Sequence, residues 1–247
     1  MSPALSVDFV DPERGAAALL RVAAANGDGG AWLAVDDGRA IGGEAGPEAL
    51  RIADDGDRAV ASLTVDAGGL ELAASRVVGV DLAESSQFAD ATGSTLEASA
   101  ARVEGRWEIG DRRRVEASGR IIRMSADPDW TRVELVRALT AVLDDGSLVV
   151  VAAARPAGAA GHGDEVVDAV LVDADGAVTR FDEALLSTEY GPDGSHRRAG
   201  VELWAPGDAA PLRGAGTTIG GAGPVAFLRF SVNGSAGTAR YELVRRA

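Results

Sequence analysis

Proton-initiated hydration or cyclisation of an alkene needs a carboxylic acid held neutral by a dry wall, so that it can donate. Asp129-Trp130 offers such a pair: the indole supplies the wall, and its π-face can stabilise a developing carbocation. The run Asp127-Pro128-Asp129 also reads as an ordinary exposed turn. Glu189-Tyr190 is the second candidate: a tyrosine hydroxyl there could orient a substrate carbonyl, and a structural hydrogen bond is its plainer role. Trp32, Trp107, Trp130 and Trp204 are the candidate ligand contacts. Tryptophans on different strands of a barrel line its cavity or fill its core.

Other chemistries find little support. The 24 cations are all arginine, so there is no Schiff-base or P-loop lysine. Without cysteine there is no thiol nucleophile, disulfide or iron–sulfur site. His162 sits in the glycine-flanked run Gly161-His162-Gly163-Asp164-Glu165, and His196 precedes Arg197-Arg198. A histidine metal site would need both to converge, and nothing in the spacing suggests it. Asp173-Ala174-Asp175-Gly176 lacks the remaining acidic positions of a calcium loop. No dinucleotide fingerprint and no nucleophile elbow is present. The expectation is therefore no cofactor and no metal.

A formal charge of −14 repels nucleic-acid phosphates and anionic lipid, and Arg112-Arg113-Arg114 is a single short basic cluster that reads as a solvated face. The longest apolar run, Leu148 to Ala154, is far short of the ~20 residues of a membrane helix. Met1 to Leu5 shows neither a basic n-region nor an apolar h-region. These features point to a cytoplasmic protein with no membrane span and no nucleic-acid partner.

The elements that must position the candidates are short strands. Asp36-Asp37-Gly38, Asp54-Asp55-Gly56, Asp144-Asp145-Gly146, Asp175-Gly176, Asp193-Gly194 and Asn233-Gly234 lie between apolar segments. Such pairs favour tight hairpins. The flanking segments alternate, as in Phe227 to Val232. Arg132 to Leu143 fits either a helix or a strand, and its strand neighbours favour strand. About fifteen strands are too many for one open sheet. The expectation is an all-β protein of two antiparallel barrels or sandwiches side by side, residues 1–98 and 99–247, with the seam in the small polar stretch Ala89 to Ser99. Gly158 to Gly163 and Gly214 to Gly223 read as flexible loops, and no internal sequence repeat is visible.

Four segments in order carry a resemblance: Val7 to Gly15, Trp130 to Val136, Leu186 to Tyr190, and Gly237 to Glu242. Together they resemble a bacterial family related to hydroxyneurosporene synthase, a carotenoid hydratase, within the lipocalin-like double-barrel proteins. The resemblance implies two lipocalin-like barrels and an apolar cavity for a terpenoid-, polyketide- or lipid-like molecule. It also implies hydration, cyclisation or isomerisation without an organic cofactor. Many relatives carry a stretch similar to Gly-Gln-Arg-Asp-His-Ser-Trp-Gly-x-Arg-Asp-Trp. In the corresponding run, Gly119 to Trp130, only Gly119, Asp129 and Trp130 match, and Ile121-Ile122-Arg123 replaces the Arg-Asp-His core.

That loss favours a non-catalytic binder or accessory subunit holding a hydrophobic small molecule in a barrel cavity, as a homo- or hetero-oligomer or alone. The alternative is a cofactor-free hydratase, cyclase or isomerase with Asp129 as proton donor.

Overall fold

The turns organise the chain. Asp37 (φ 47°) and Gly38 (φ 74°) join β3 (Gly30–Asp36) to β4 (Arg39–Ala45). Asn233 (φ 45°) and Gly234 (φ 90°) likewise join β17 (Val225–Val232) to β18 (Ser235–Arg245). Two successive residues at positive φ give the mirror-image turn whose twist matches that of paired strands. In a computed structural model that describes residues 4–23, 30–82, 86–207 and 210–246, the strands so joined form two nine-stranded antiparallel sheets.

The first sheet holds β1 (Ala4–Asp11), β2 (Ala16–Ala23), β3, β4, β5 (Leu50–Asp54), β6 (Arg58–Val65), β7 (Gly68–Asp81), β8 (Leu96–Trp107) and β9 (Arg113–Met124). The second holds β10 (Val133–Leu143), β11 (Leu148–Pro156), β12 (Val166–Val172), β13 (Val178–Arg180), β14 (Glu183–Tyr190), β15 (His196–Trp204), β16 (Leu212–Ala222), β17 and β18. Their orders are β4-β3-β2-β1-β9-β8-β7-β6-β5 and β13-β12-β11-β10-β18-β17-β16-β15-β14. The second order is the first shifted by nine strands, so the topology repeats although the sequence does not. In each sheet the first strand pairs with the last, β1 with β9 and β10 with β18. The result is two barrel-like sheets in a lipocalin-like double-barrel arrangement.

Four apolar clusters hold this together. Each barrel has its own interior: Val7, Phe9, Leu20, Leu63, Val103 and Trp107 in the first, Leu139, Val151, Leu203, Leu228, Phe230 and Tyr241 in the second. The other two clusters lie between the barrels. Leu82, Phe88, Ile122, Val136, Val150 and Val170 form one, and Val10, Leu19, Val35, Val225 and Phe227 form the other. Strands at this junction are therefore buried on both faces. In β1, Leu5, Val7 and Phe9 point into the barrel while Ser6, Asp8 and Val10 face the second barrel. Gly220 lets β16 approach the first barrel: a Cβ there would stand 2.3 Å from Val35 Cγ1.

The structure corrects several expectations. The described strands number eighteen, not about fifteen. Gly214 to Gly223 is no loop, since most of it belongs to β16. The seam expected at 98/99 falls inside β8, and the change of sheet comes between Met124 and Val133. Part of Ala89 to Ser99 forms α1 (Gln87–Thr92), capped by the Ser86 hydroxyl on Ala89 N–H and ended by Gly93 at φ 69°. Arg132 to Leu143, open to two readings, contains strand β10. Among the described residues no helix is long and apolar enough to cross a membrane.

Candidate functional site

Between the two apolar contacts that join the barrels lies a layer of buried charge. Asp8 projects from β1, Arg120 from β9 and Arg240 from β18, with side chains at most 5% exposed. Arg120 Nε donates to Asp8 Oδ1 at 2.5 Å, and Arg240 Nη1 donates to Asp8 Oδ2 at 2.9 Å. Arg120 Nη1 also donates to the Thr238 carbonyl at 3.1 Å, and Arg240 Nη1 to Ser6 Oγ at 3.1 Å. Toward solvent the layer continues as a bidentate pair: Arg21 donates from Nη1 and Nη2 to the two Glu242 oxygens at 2.7 and 2.5 Å. Burial pushes the Glu242 carboxyl up, but Arg21 and Arg240 more than offset this and hold it below the usual carboxylate range. For Arg240 burial wins: desolvation lowers its pKa against the pull of Asp8 and Glu242, with Arg21 and Arg120 repelling it.

This layer floors a cavity of about 260 Å³ between the barrels. Ser6, Arg21, Arg240 and Glu242 form its polar end. Its walls are Phe88 from α1, Leu96 from β8, Ile122 and Met124 from β9, Val136 from β10 and Trp130. Trp130 belongs to the crossover, residues 125–132, that carries the chain from one sheet to the next. The crossover is fastened to α1: Asp129 N–H donates to the Thr92 carbonyl at 2.7 Å, Ser94 Oγ to the Ala126 carbonyl at 2.6 Å, and Arg132 to the Asp90 carbonyl. The helix is in turn held by the second barrel, because Asp168 Oδ2 on β12 accepts from Ser86 Oγ at 2.5 Å and Phe88 N–H at 2.8 Å. Two fixed walls and a charged floor can hold an amphipathic molecule head-down, the usual design of a ligand pocket.

The residues singled out in the sequence do not converge. Of the tryptophans, Trp130 lines the cavity, in a turn rather than a strand. Trp107 is fully buried in the first barrel: its indole N–H donates to the Ile109 carbonyl at 2.6 Å, Phe9 meets it edge-on, and Arg113 lies 4.4 Å from its ring centroid. Trp32 packs part-buried against that same core, and Trp204 ends β15 outside the apolar clusters described here. Asp129 is a turn carboxylate, accepting from Thr131 Oγ1 at 2.6 Å and Thr131 N–H at 3.0 Å. Those bonds hold its carboxyl below the ordinary range, the reverse of the neutral acid that proton donation requires.

Glu189 is an exposed partner of Arg197 at 3.7 Å. Tyr190, 42% exposed, stacks obliquely on His196, which meets Tyr241 edge-on inside the second barrel. Tyr190 thus caps an aromatic row that shares no partner with Asp129. Behind that row, Thr188 Oγ1 donates to Tyr241 Oη at 2.8 Å, and Arg137 pairs with Glu165 inside the barrel. The side chain of His162 lies outside the described residues. Arg112 and Arg114 are exposed and paired with Glu108 and Glu116, and Arg113 turns back to Asp36.

Ser6, Asp8, Arg21, Arg120, Arg240 and Glu242 were not singled out by residue type. Each alternates with apolar neighbours as a solvent-facing strand residue does. Their one distinguishing signal was indirect: Asp8 and the pair Arg240 and Glu242 fall within segments that carry the family resemblance.

Comparison with known proteins gives the fold. No family model and no curated protein matches the sequence. Solved structures that match across the whole chain include two proteins. One is a Nitrosomonas europaea protein solved under the provisional name AttH, at TM-score 0.71 and 13% identity, with 94% of its chain covered. The other is CghA, solved with Sch210972 at TM-score 0.63 and 13% identity and alone at 0.62 and 14%, with 89% of each chain covered. Both are lipocalin-like double-barrel proteins.

Proposed function

We propose that this protein binds an apolar or amphipathic small molecule in the cleft between its two barrels, without transforming it. The observation that carries this reading is the make-up of the cleft: a largely apolar, partly open cavity whose buried carboxylate, Glu242, is doubly paired with arginine. A carboxylate so held stays anionic and cannot start a carbocation reaction. The stretch that the family resemblance would fill with Arg-Asp-His places Ile122 on the cavity wall instead, with Met124 following it. An apolar wall binds; it does not move protons. The cavity lies between the barrels, and the first barrel interior is filled by Trp107 and Phe9.

CghA, a fold neighbour, was solved with a small molecule bound, which agrees with a binding role for this architecture. Descent from the hydroxyneurosporene synthase family, with loss of its chemistry, fits the same picture. The alternative, catalysis by Asp129, has against it that carboxylate's exposed, anionic setting.

The test is native mass spectrometry of the full chain purified from its own host. The expected result is a retained apolar molecule. It is lost in Ala138→Trp, which fills the cavity from a lining position. A protein that arrives empty and takes up no medium-chain fatty or terpenoid probe contradicts the proposal.

A further inference from the structure

The layer flooring the cavity is not electrically balanced. Three guanidinium groups, Arg21, Arg120 and Arg240, face two carboxylates, Asp8 and Glu242, an excess of one positive charge. Arg21, its side chain 30% exposed, is the outermost of the three, and exposed Asp127 also lines the cavity. Charge held away from water is costly unless it is paired. The excess sits where a ligand can reach it. Arg240 and Arg21 line the cavity, whereas Arg120 and Asp8 lie behind them. Arg240 Nη2 is 3.6 Å from Glu242 Oε2, too long for a hydrogen bond, while its Nη1 serves both Ser6 and Asp8. A planar guanidinium at the end of an apolar pocket matches a carboxylate or enolate oxygen.

The cavity also limits the guest. At about 260 Å³ it lies below the usual range for drug-sized ligands, which favours a short guest over a long carotenoid.

Resting on the cleft as the binding site, we infer that its ligand is a medium-chain acid, a carboxylate or enolate whose anionic head pairs with Arg240 and Arg21 while its apolar tail lies against Ile122, Met124, Phe88 and Trp130. The third arginine is what the two protein carboxylates leave unmatched, and the ligand head is its counter-ion.

The experiment compares decanoate, 1-decanol and decylamine on the full chain by calorimetry at pH 7.5 and low salt. Decanoate is expected to bind at least about tenfold tighter than decanol, and decylamine to bind weakest. Arg21→Gln, which removes the excess charge, brings decanoate down to the level of decanol. Glu242→Gln adds to the excess and tightens decanoate relative to decanol, an opposite sign that loss of structure cannot produce. The wild-type series decides the matter even if a variant fails to fold. Decanol binding as tightly as decanoate, with both lost in Ala138→Trp, overturns the acidic head and leaves the cleft standing. Binding of none of the three, or binding unaffected by Ala138→Trp, overturns the cleft itself.

Discussion

The two barrels share a topology and differ in what fills them. The first is apolar throughout its interior, anchored by Trp107 against Phe9. The second has an equally apolar wall but carries Arg137 paired with Glu165, and Tyr241 bonded to Thr188, toward the end where β14 turns into β15. Hairpin turns and alternation therefore set the wall of such a barrel, and the interior is free to be greasy or polar. The penalties differ in kind. An apolar interior loses stability in proportion to the volume removed. A polar one tolerates loss of a whole pair but not of one partner, because the survivor is left charged and dry.

The sharpest way to break the comparison is to empty the first barrel. Trp107→Ala should cost about 3–5 kcal/mol in urea unfolding, by the loss of a fully buried aromatic. Next comes the second barrel. Glu165→Gln should cost about 3 kcal/mol, since it strands Arg137, whose side chain is 5% exposed. Changing Arg137 and Glu165 together to leucine should recover only part of that loss, because Arg155, which also donates to Glu165 at 2.9 Å, loses that bond. If the single change cost as little as a surface substitution, the second interior would be wet and the contrast would collapse.

A smaller effect follows from His196, whose pKa burial lowers. The folded chain then holds fewer protons at this site than the unfolded chain. The contribution is therefore constant above the unfolded value of ~6.5, and stability falls as pH drops below it. Urea titrations from pH 7.5 to 5 should show that decline, and His196→Gln should flatten it. Glu242, Asp54 and Asp129 are also shifted down, but from lower starting values, so the stability they add is lost only at more acid pH, as it falls below their unfolded values of about 4. The smallest effect belongs to Asp129→Asn, which should behave in urea unfolding like an ordinary surface substitution and leave ligand retention untouched. A large loss of retention there would restore Asp129 to the site.

Much of the wall was legible and little of the cleft was. Asp-Gly and Asn-Gly turns carry their conformation in their own residues, so the hairpins around Gly38 and Gly234 could be read directly. Strands buried on both faces hide their period: β1 reads Ala-Leu-Ser-Val-Asp-Phe-Val-Asp, and nothing local says that Asp8 faces another barrel instead of water. Glycines misled in the opposite direction. Gly214, Gly216, Gly220 and Gly221 suggested a loop, but strand β16 uses them to pass close to neighbouring backbone and side chains. Trp130 was found because a lone tryptophan beside a turn stands out in an aromatic-poor chain, while its acidic neighbour misled. The arginine layer depends on which strand ends up opposite which, and residue type alone does not encode that.

The pairing of Asp8 with Arg240 joins residues 232 positions apart. During synthesis β1 must wait, its aspartate solvated, until β18 has left the ribosome. Each barrel also needs its own last strand before it can close. The cleft lined by Arg240 and Glu242 therefore assembles only once β18 is in place, after the first barrel has all its strands. Deleting β18 should accordingly abolish the cleft before it disturbs the first barrel.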